Sequence, residues 1–134
     1  MENYLNEISE FAQRLGLEIL HRDEAESILI VHDENRGVYK MVLDVEEPIL
    51  VMEQLIYKIA QPSLEHYQRL LQINRQLVHG AFVMDEEGKT ILFRDTLQIK
   101  NLDFNEFEGS INALSMGLAE FSHELLKLNQ GKGA

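Results

Sequence analysis

The chain has 134 residues, no cysteine and a formal net charge of −11 at pH 7. This length fits one domain, residues 1–134, whose core is large enough to need neither a disulfide nor a metal. The lack of cysteine excludes zinc-finger, iron–sulfur and thiol chemistry. The acidity disfavours nucleic acid as a partner, because it repels phosphate backbones and no Lys/Arg cluster interrupts it.

The N-terminal residues, Met1 to Tyr4, have no basic region followed by an apolar run, as a secretory signal would have. No stretch approaches the roughly 18 apolar residues that a membrane span requires. We therefore expect a cytoplasmic protein that does not associate with membranes.

A short amphipathic helix is predicted over residues 2–15. Its apolar stripe consists of Leu5, Ile8, Ala12 and Leu15. Gly16 follows as a residue that can end the helix in the left-handed conformation, and Leu17 is its hydrophobic companion.

Segments of strand character follow at residues 17–21, 27–32 and 38–45. Short charged turns separate them, which favours neighbouring antiparallel strands. Residues 49–59 are ambiguous, since their apolar positions fit a helix or a strand. Their content of Ile, Val and Tyr favours one long strand with a bend near Glu53-Gln54.

Ser63 is the predicted N-cap of a second helix, which ends near residue 74 or 75. Leu64, Tyr67 and Leu71 share one face of this helix, whereas Leu70 lies on another. A short helix that is apolar on more than one face needs more cover than one sheet provides. These four side chains are therefore predicted to contact a dimer partner or another protein.

Residues 81–84 and 90–93 form the clearest hairpin signal in the chain. The loop between them is polar and contains Gly88, which supplies the positive φ that closes such a turn. The second strand is predicted to continue to Ile99. Gly80, just before the hairpin, is interpreted as a position of close packing, with a special backbone angle as the alternative.

A long helix is predicted to begin after Asp103, which precedes Glu106 by the three residues of a capping box. The helix carries one apolar stripe that we expect to pack on the sheet, where burial contributes roughly 1.5 to 3 kcal/mol per side chain. This stripe consists of Phe104, Phe107, Ile111, Leu114, Leu118, Phe121 and Leu125. A frayed tail is expected from about residue 129.

Gly109, Ala113 and Gly117 recur at every fourth position on another face of the long helix. Glycine within a helix costs about 1 kcal/mol relative to alanine, so two of them suggest a compensating contact with another helix or a second subunit. The alternative is that these residues are tolerated on a solvated face.

No catalytic, cofactor-binding or metal-binding residues are predicted. The five histidines show no pairing at helical spacing and no HExxH motif. The acidic doublets lie in turns, where solvated carboxylates make poor general acids. The serines lack a nucleophile-elbow context, and the glycines form no phosphate-binding loop. We therefore expect that the protein is not an enzyme.

The predicted order is a helix, three or four strands, a helix, two strands and a long helix. Runs of strands with helices between them are typical of an α+β domain with two layers, in which helices cover one face of an antiparallel sheet.

Residues 64–128 resemble the C-terminal half of class I type III secretion chaperones of the Tir-chaperone type and their YbjN-like relatives. The resemblance rests on the order and spacing of several short segments. These are LLQIN at residues 70–74, Gly80-Ala81, DEEGK at 85–89, the strand to Leu97, and Leu102-Asp103 before the long helix.

This resemblance implies a small acidic cytoplasmic homodimer, without cofactors, that holds an extended segment of another protein along its strands and helix grooves. It also implies that the second helix, with Leu64, Tyr67, Leu70 and Leu71, is the dimer contact. A YbjN-like regulatory or stress-related protein without a secretion client is the alternative. A third hypothesis is an enzyme or small-molecule binder with a pocket between the sheet and the long helix.

Overall fold

The computed structural model describes residues 3–131, in which three helices and six strands follow one another in the predicted order. The helices are α1 (Tyr4–Leu15), α2 (Leu64–Asn74) and α3 (Phe104–Gln130). The strands are β1 (Glu18–Asp23), β2 (Ile28–Asp33), β3 (Val38–Glu46), β4 (Ile49–Lys58), β5 (Ala81–Met84) and β6 (Thr90–Gln98). The ambiguous segment at residues 49–59 is thus a strand. The start of the first helix at residue 2 and the last residues of the expected tail lie outside the described residues.

The strands form one antiparallel sheet in the order β1-β2-β3-β4-β6-β5. The first four strands follow one another as a meander. Helix α2 then carries the chain to the far edge of the sheet, and the β5–β6 hairpin returns it to β4. Helix α1 contacts β1 and β2, α3 contacts β3 and β6, and α2 contacts β5.

The three helices and alternate strand residues share one hydrophobic core. The strand residues in this core include Leu29, Val31, Met41, Leu43, Leu50, Met52, Ile91 and Phe93. From α3, Phe107, Ile111 and Leu114 are fully buried. Because the buried faces of all three helices meet on the same side of the sheet, the predicted α+β fold with helices on one face is confirmed.

The ends of α1 and α3 follow the capping chemistry predicted from the sequence. Gly16 has a φ of 85° and donates its backbone N–H to the Gln13 carbonyl (3.0 Å), while Leu17 N–H reaches the Ala12 carbonyl (2.9 Å). Asp103 and Glu106 form both hydrogen bonds of the capping box. Helix α3 continues to Gln130 and so passes the expected start of the tail at residue 129.

Strands β3 and β4 pair from Glu46 and Ile49, next to the turn that joins them, as far as Val42 and Glu53. The first residues of β3 and the last residues of β4 do not pair with each other. The buried Gln54 side chain replaces the missing pairing, because its Nε2 donates to the Gly37 carbonyl (3.0 Å) and its Oε1 accepts from Tyr39 N–H (3.0 Å). The irregularity expected near Glu53-Gln54 lies slightly further along, where the register with β6 shifts between residues 55 and 57.

A second side-chain amide closes the outer edge of β5. The Asn74 carboxamide donates to the Phe82 carbonyl (3.0 Å) and accepts from Phe82 N–H (2.8 Å). These are the two hydrogen bonds that a further strand would make at this position. Asn74 therefore ties the end of α2 to the sheet and occupies the backbone groups of the edge strand.

We expect Asn74→Ala to lower the free energy of unfolding by about 1–3 kcal/mol, because it leaves both Phe82 backbone groups without their partners in a partly buried position. Urea unfolding followed by circular dichroism measures this change. Asn129→Ala is the matched control: its amide bonds Ala60 N–H and the Lys58 carbonyl at an exposed site, where water can replace it. Equal losses in the two variants would contradict this role for Asn74.

Candidate protein-interaction surfaces

Helix α2 buries a narrow stripe and leaves the rest of its surface open. Ser63 caps the helix by accepting a hydrogen bond from His66 N–H (3.0 Å), as predicted. His66, Leu70 and Ile73 form the buried stripe. The core therefore uses only one of the apolar faces of α2.

A hydrogen bond between the buried His66 and the half-buried Tyr57 fixes the start of α2 on β4. The Tyr57 hydroxyl lies 2.6 Å from His66 Nε2, and His66 Nδ1 lies 3.4 Å from the Gln61 carbonyl oxygen. With Nδ1 protonated and donating to Gln61, Nε2 accepts from the Tyr57 O–H. Burial raises the pKa of Tyr57 to about 12, so Tyr57 remains a neutral donor at physiological pH.

An ion pair fixes the middle of α2 on α3. The Arg69 guanidinium meets the Glu124 carboxylate through two hydrogen bonds, one of them Nη2 to Oε1 at 3.0 Å and the other between Nε and Oε2. This bidentate contact lowers the pKa of Glu124 and raises that of Arg69. Together with His66 and Asn74, it holds α2 in one orientation.

The outward face of α2 presents two leucines to solvent. Leu64 is 73% exposed and Leu71 is 71% exposed, and they lie two helical turns apart on the same face. Tyr67 is half-buried and its ring stacks on His66. Leu70, in contrast, is only 6% exposed and belongs to the core. The structure thus separates the four α2 residues predicted to form an interface: two are free at the surface, one is partly covered and one is buried within its own chain.

The small residues of α3 face a segment of the same chain. A Cβ atom at Gly117 would lie 3.2 Å from Leu77 Cδ2, and one at Gly109 would lie 3.7 Å from His79 Nε2. Ala113 lines the shallow groove that remains between α3 and this segment, residues 76–79. The nearest neighbour of these residues is therefore the connection that follows α2.

Two further exposed apolar side chains line the same groove, Val78 and Met116. No sequence pattern indicated a role for either residue. We use the name α2 face for the exposed Leu64 and Leu71 of α2.

Within residues 3–131, no three His, Asp or Glu side chains converge in the way that metal ligands do. In the same part of the chain, no helix combines the length and the hydropathy needed to cross a bilayer.

The face of the sheet without helices carries a crowded carboxylate. Asp44 lies between Ile28 of β2 and Val51 of β4 in the strand register. Burial raises its pKa, and so does repulsion from the neighbouring Glu46, Glu26 and Glu53. Ionised Asp44 is therefore less favourable in the folded protein than in the unfolded chain.

We expect Asp44→Asn to stabilise the protein at pH 7 and to have little effect at low pH. Because the folded pKa of Asp44 is raised, its contribution to stability is lost as pH rises from the unfolded value of 3.8 through the folded one. The measurement is the difference in urea midpoint between wild type and variant at pH 7 and below pH 3.8. A difference that does not change with pH would show that Asp44 ionises without penalty in the folded protein.

The architecture defines the class, which is the α+β fold of type III secretion chaperones. The structure of YbjN from E. coli, described as a putative transcription regulator, is similar with a TM-score of 0.69 and 16% identity over 90% of this chain and 92% of that one. SycH from Yersinia pestis, in complex with a fragment of YscM2, matches with a TM-score of 0.54 and 19% identity over 94% and 99%. A chain of the ExsC–ExsE complex matches with a TM-score of 0.66 and 20% identity over 90% and 92%. At these identities the similarity establishes the fold.

The sequence matches the CesT_Tir_1 family over residues 1–131, and the chain belongs to this family of type III secretion chaperones. A comparison with curated protein sequences finds no match. The resemblance inferred from residues 64–128 is therefore confirmed and extends over nearly the whole chain.

Proposed function

We propose that the protein is a non-catalytic, cytoplasmic protein-binding module: a dimeric chaperone or adaptor that holds an extended segment of another protein. The observation that carries the proposal is the α2 face, where Leu64 and Leu71 are each more than 70% exposed. Membership of a secretion-chaperone family supports the same role.

The two leucines of the α2 face can be buried only by a binding partner. Each would contribute roughly 1.5 to 3 kcal/mol if it were buried. Helix α2 cannot rotate to bury them, because the contacts of His66, Arg69 and Asn74 fix its orientation. A rigid apolar face loses little conformational entropy on binding, which favours association.

A second copy of the chain fits this face as a twofold dimer, in which the same patch occurs on both sides of the interface. The solved relatives support the binding of a further protein. SycH is seen with a fragment of YscM2, and the similar HopA1–SchA structure is a chaperone–effector complex.

A YbjN-like regulatory or stress-related protein without a secretion client is the second candidate, supported by the similarity to YbjN. With a net charge of −11, such a protein would act through other proteins rather than through direct contact with nucleic acid. The neighbouring genes separate the two candidates, since genes for a secretion apparatus favour the first and unrelated genes favour the second.

Co-purification from the native host followed by mass spectrometry tests the proposal. We expect wild type to retain a specific protein and the double variant Leu64→Ser/Leu71→Ser to lose either this protein or its own dimeric state. Leu20→Ser is the control, because Leu20 is an exposed leucine on β1, at the opposite end of the sheet from β5 and α2. A wild-type protein that is monomeric, or that retains no partner, would refute the proposal.

A further inference from the structure

The face of the sheet that the helices leave free carries an apolar layer of its own. In strands β2, β3, β4 and β6, the residues that alternate with core positions point to this side of the sheet. We use the name open face for this layer together with Asp44 at its centre. The apolar members of the open face are Ile28, Ile30, Val42, Ile49, Val51, Leu55 and Leu92.

Apolar side chains surround Asp44 on the open face. The strand register places Ile28 and Val51 on either side of it, roughly 5 Å away across the strands, and Val42 lies two residues before it on β3. Val51 is only 7% exposed, although it points away from the helices. The layer is therefore packed closely around one central carboxylate.

The open face has a local excess of negative charge. Burial raises the pKa of Asp44, and repulsion from Glu46, Glu26 and Glu53 raises it further. Arg94, which lies opposite Glu53 in the strand register, is already hydrogen-bonded to the Glu53 carboxylate. A cation that balances Asp44 would therefore come from another molecule.

The position of Asp44 lowers the stability of the folded protein at neutral pH, because its ionised form is unfavourable there. Polar groups that are kept at a cost to stability are typical of binding sites. A lysine or arginine close to Asp44 would offset the repulsion among the carboxylates, and the apolar side chains around it would be buried by the same contact.

The open face offers side chains rather than backbone groups to an occupant. Around Asp44 the backbone groups of β2, β3, β4 and β6 are engaged in the sheet, so an incoming strand finds no partner for pairing. Two open faces brought together would place like charges opposite each other, which disfavours a second copy of this chain. The occupant that fits is a folded surface of a different, basic protein.

The size of the open face indicates a transient contact. Four strands spaced about 4.8 Å apart are roughly 19 Å wide, and six residues of a strand are roughly 20 Å long, which gives about 400 Å². Each partner in a stable complex of standard size buries about 800 Å².

We propose that the open face is a transient docking surface for a folded basic protein, which places one lysine or arginine against Asp44 and apolar side chains against Ile28, Val42 and Val51. The contact lies on the side of the sheet opposite to the helices. It is therefore separate from the α2 face and from the extended segment of the proposed function.

Titration of the isotope-labelled protein with capped tripeptides, followed by NMR, tests this docking surface. The probe has lysine between two valines, and the matched tripeptides carry glutamine or glutamate in its place. We expect the lysine tripeptide to shift the amide resonances around Asp44 on β2, β3 and β4 saturably, with a Kd in the millimolar range that is usual for so small a ligand. The glutamine tripeptide should bind more weakly, the glutamate tripeptide should cause no shift, and added salt should weaken binding of the lysine tripeptide.

Two variants with the same change in net charge locate the effect. We expect Asp44→Asn to weaken binding of the lysine tripeptide roughly fivefold and Glu10→Gln to change it by less than about twofold. Glu10 is an exposed carboxylate on α1, on the other side of the sheet. Urea unfolding at pH 7 establishes that both variants are folded.

Several outcomes would overturn the inference. These are equal affinity of the two variants, equal shifts from the lysine and glutamate tripeptides, and no shift at all around Asp44. If Asp44→Asn dissociates a wild-type dimer, the open face belongs to a second copy of the chain and the inference is also wrong.

The result is distinguishable from that for the proposed function. If Leu71→Asp loses its association but binds the lysine tripeptide as wild type does, both the proposed function and the docking surface stand. If wild type is monomeric and retains no partner but binds the lysine tripeptide at Asp44, the proposed function fails and the docking surface stands.

Discussion

Leu70→Asp is expected to destabilise the protein strongly, whereas Leu71→Asp should leave its stability nearly unchanged. Leu70 is 6% exposed in the core and Leu71 is 71% exposed on the adjacent helical position. An unpaired carboxylate in an apolar core costs about 3–5 kcal/mol, which is a large part of the stability of a small domain. An exposed substitution changes stability by about 0.5 kcal/mol or less.

Circular dichroism and urea unfolding of the two variants test this difference under identical conditions. Similar midpoints for Leu70→Asp and wild type would mean that α2 does not use Leu70 to pack on the sheet. Because Leu70 belongs to the core, loss of association in Leu70→Asp would report unfolding. Leu71→Asp is therefore the appropriate probe of the α2 face.

Gly80→Ala is expected to cost substantially more stability than Gly16→Ala. Both glycines have positive φ, 73° and 85°, so alanine adds about 1–2 kcal/mol of backbone strain at either position. A Cβ atom at Gly16 meets no atom within 4 Å, but at Gly80 it would lie 2.8 Å from Phe93 Cε1 and 3.1 Å from the Arg94 carbonyl oxygen. The clash with the core adds about 1–3 kcal/mol.

The free energy of unfolding of both variants, measured in urea, gives the difference directly. Gly16→Ala serves as the control, because it reports the backbone strain alone. Equal losses would show that the Phe93 ring moves aside without cost. At Gly80 both interpretations of the sequence hold, since the residue combines a left-handed backbone with close packing.

The parts of the fold that depend on local chemistry could be predicted from the sequence. Asp103 and Glu106 fix the start of α3, and Gly16 with Leu17 fixes the end of α1, because each motif satisfies backbone groups within a few residues. The β5–β6 hairpin follows from its loop in the same way. For residues 49–59, the β-branched content correctly indicated a strand.

The candidate sites could be predicted only in part, because they depend on tertiary contacts. Helical periodicity shows that α2 has two apolar faces, but which one is buried depends on the position of β5 and on the contacts of His66 and Asn74. Gly117 faces Leu77, a residue far away in the sequence, so spacing alone could not identify its neighbour.

A cleft lies between α3, the start of β3 and the end of β4, where these two strands no longer pair, and no local sequence motif predicts it. One signal was present in the sequence: Gln54 is a polar residue within the apolar β4 strand, and in the structure it is buried and bonded to the backbone of β3. A buried amide of this kind marks a place where ordinary strand pairing fails.

Analytical ultracentrifugation of wild type and Leu71→Asp tests most directly whether the apolar side chains left outside the core serve association. We predict a wild-type dimer at micromolar concentration that Leu71→Asp converts to a folded monomer, because an unpaired carboxylate cannot be desolvated in an apolar contact without a large penalty. A monomeric wild type, or a dimer that Leu71→Asp leaves intact, would contradict the account.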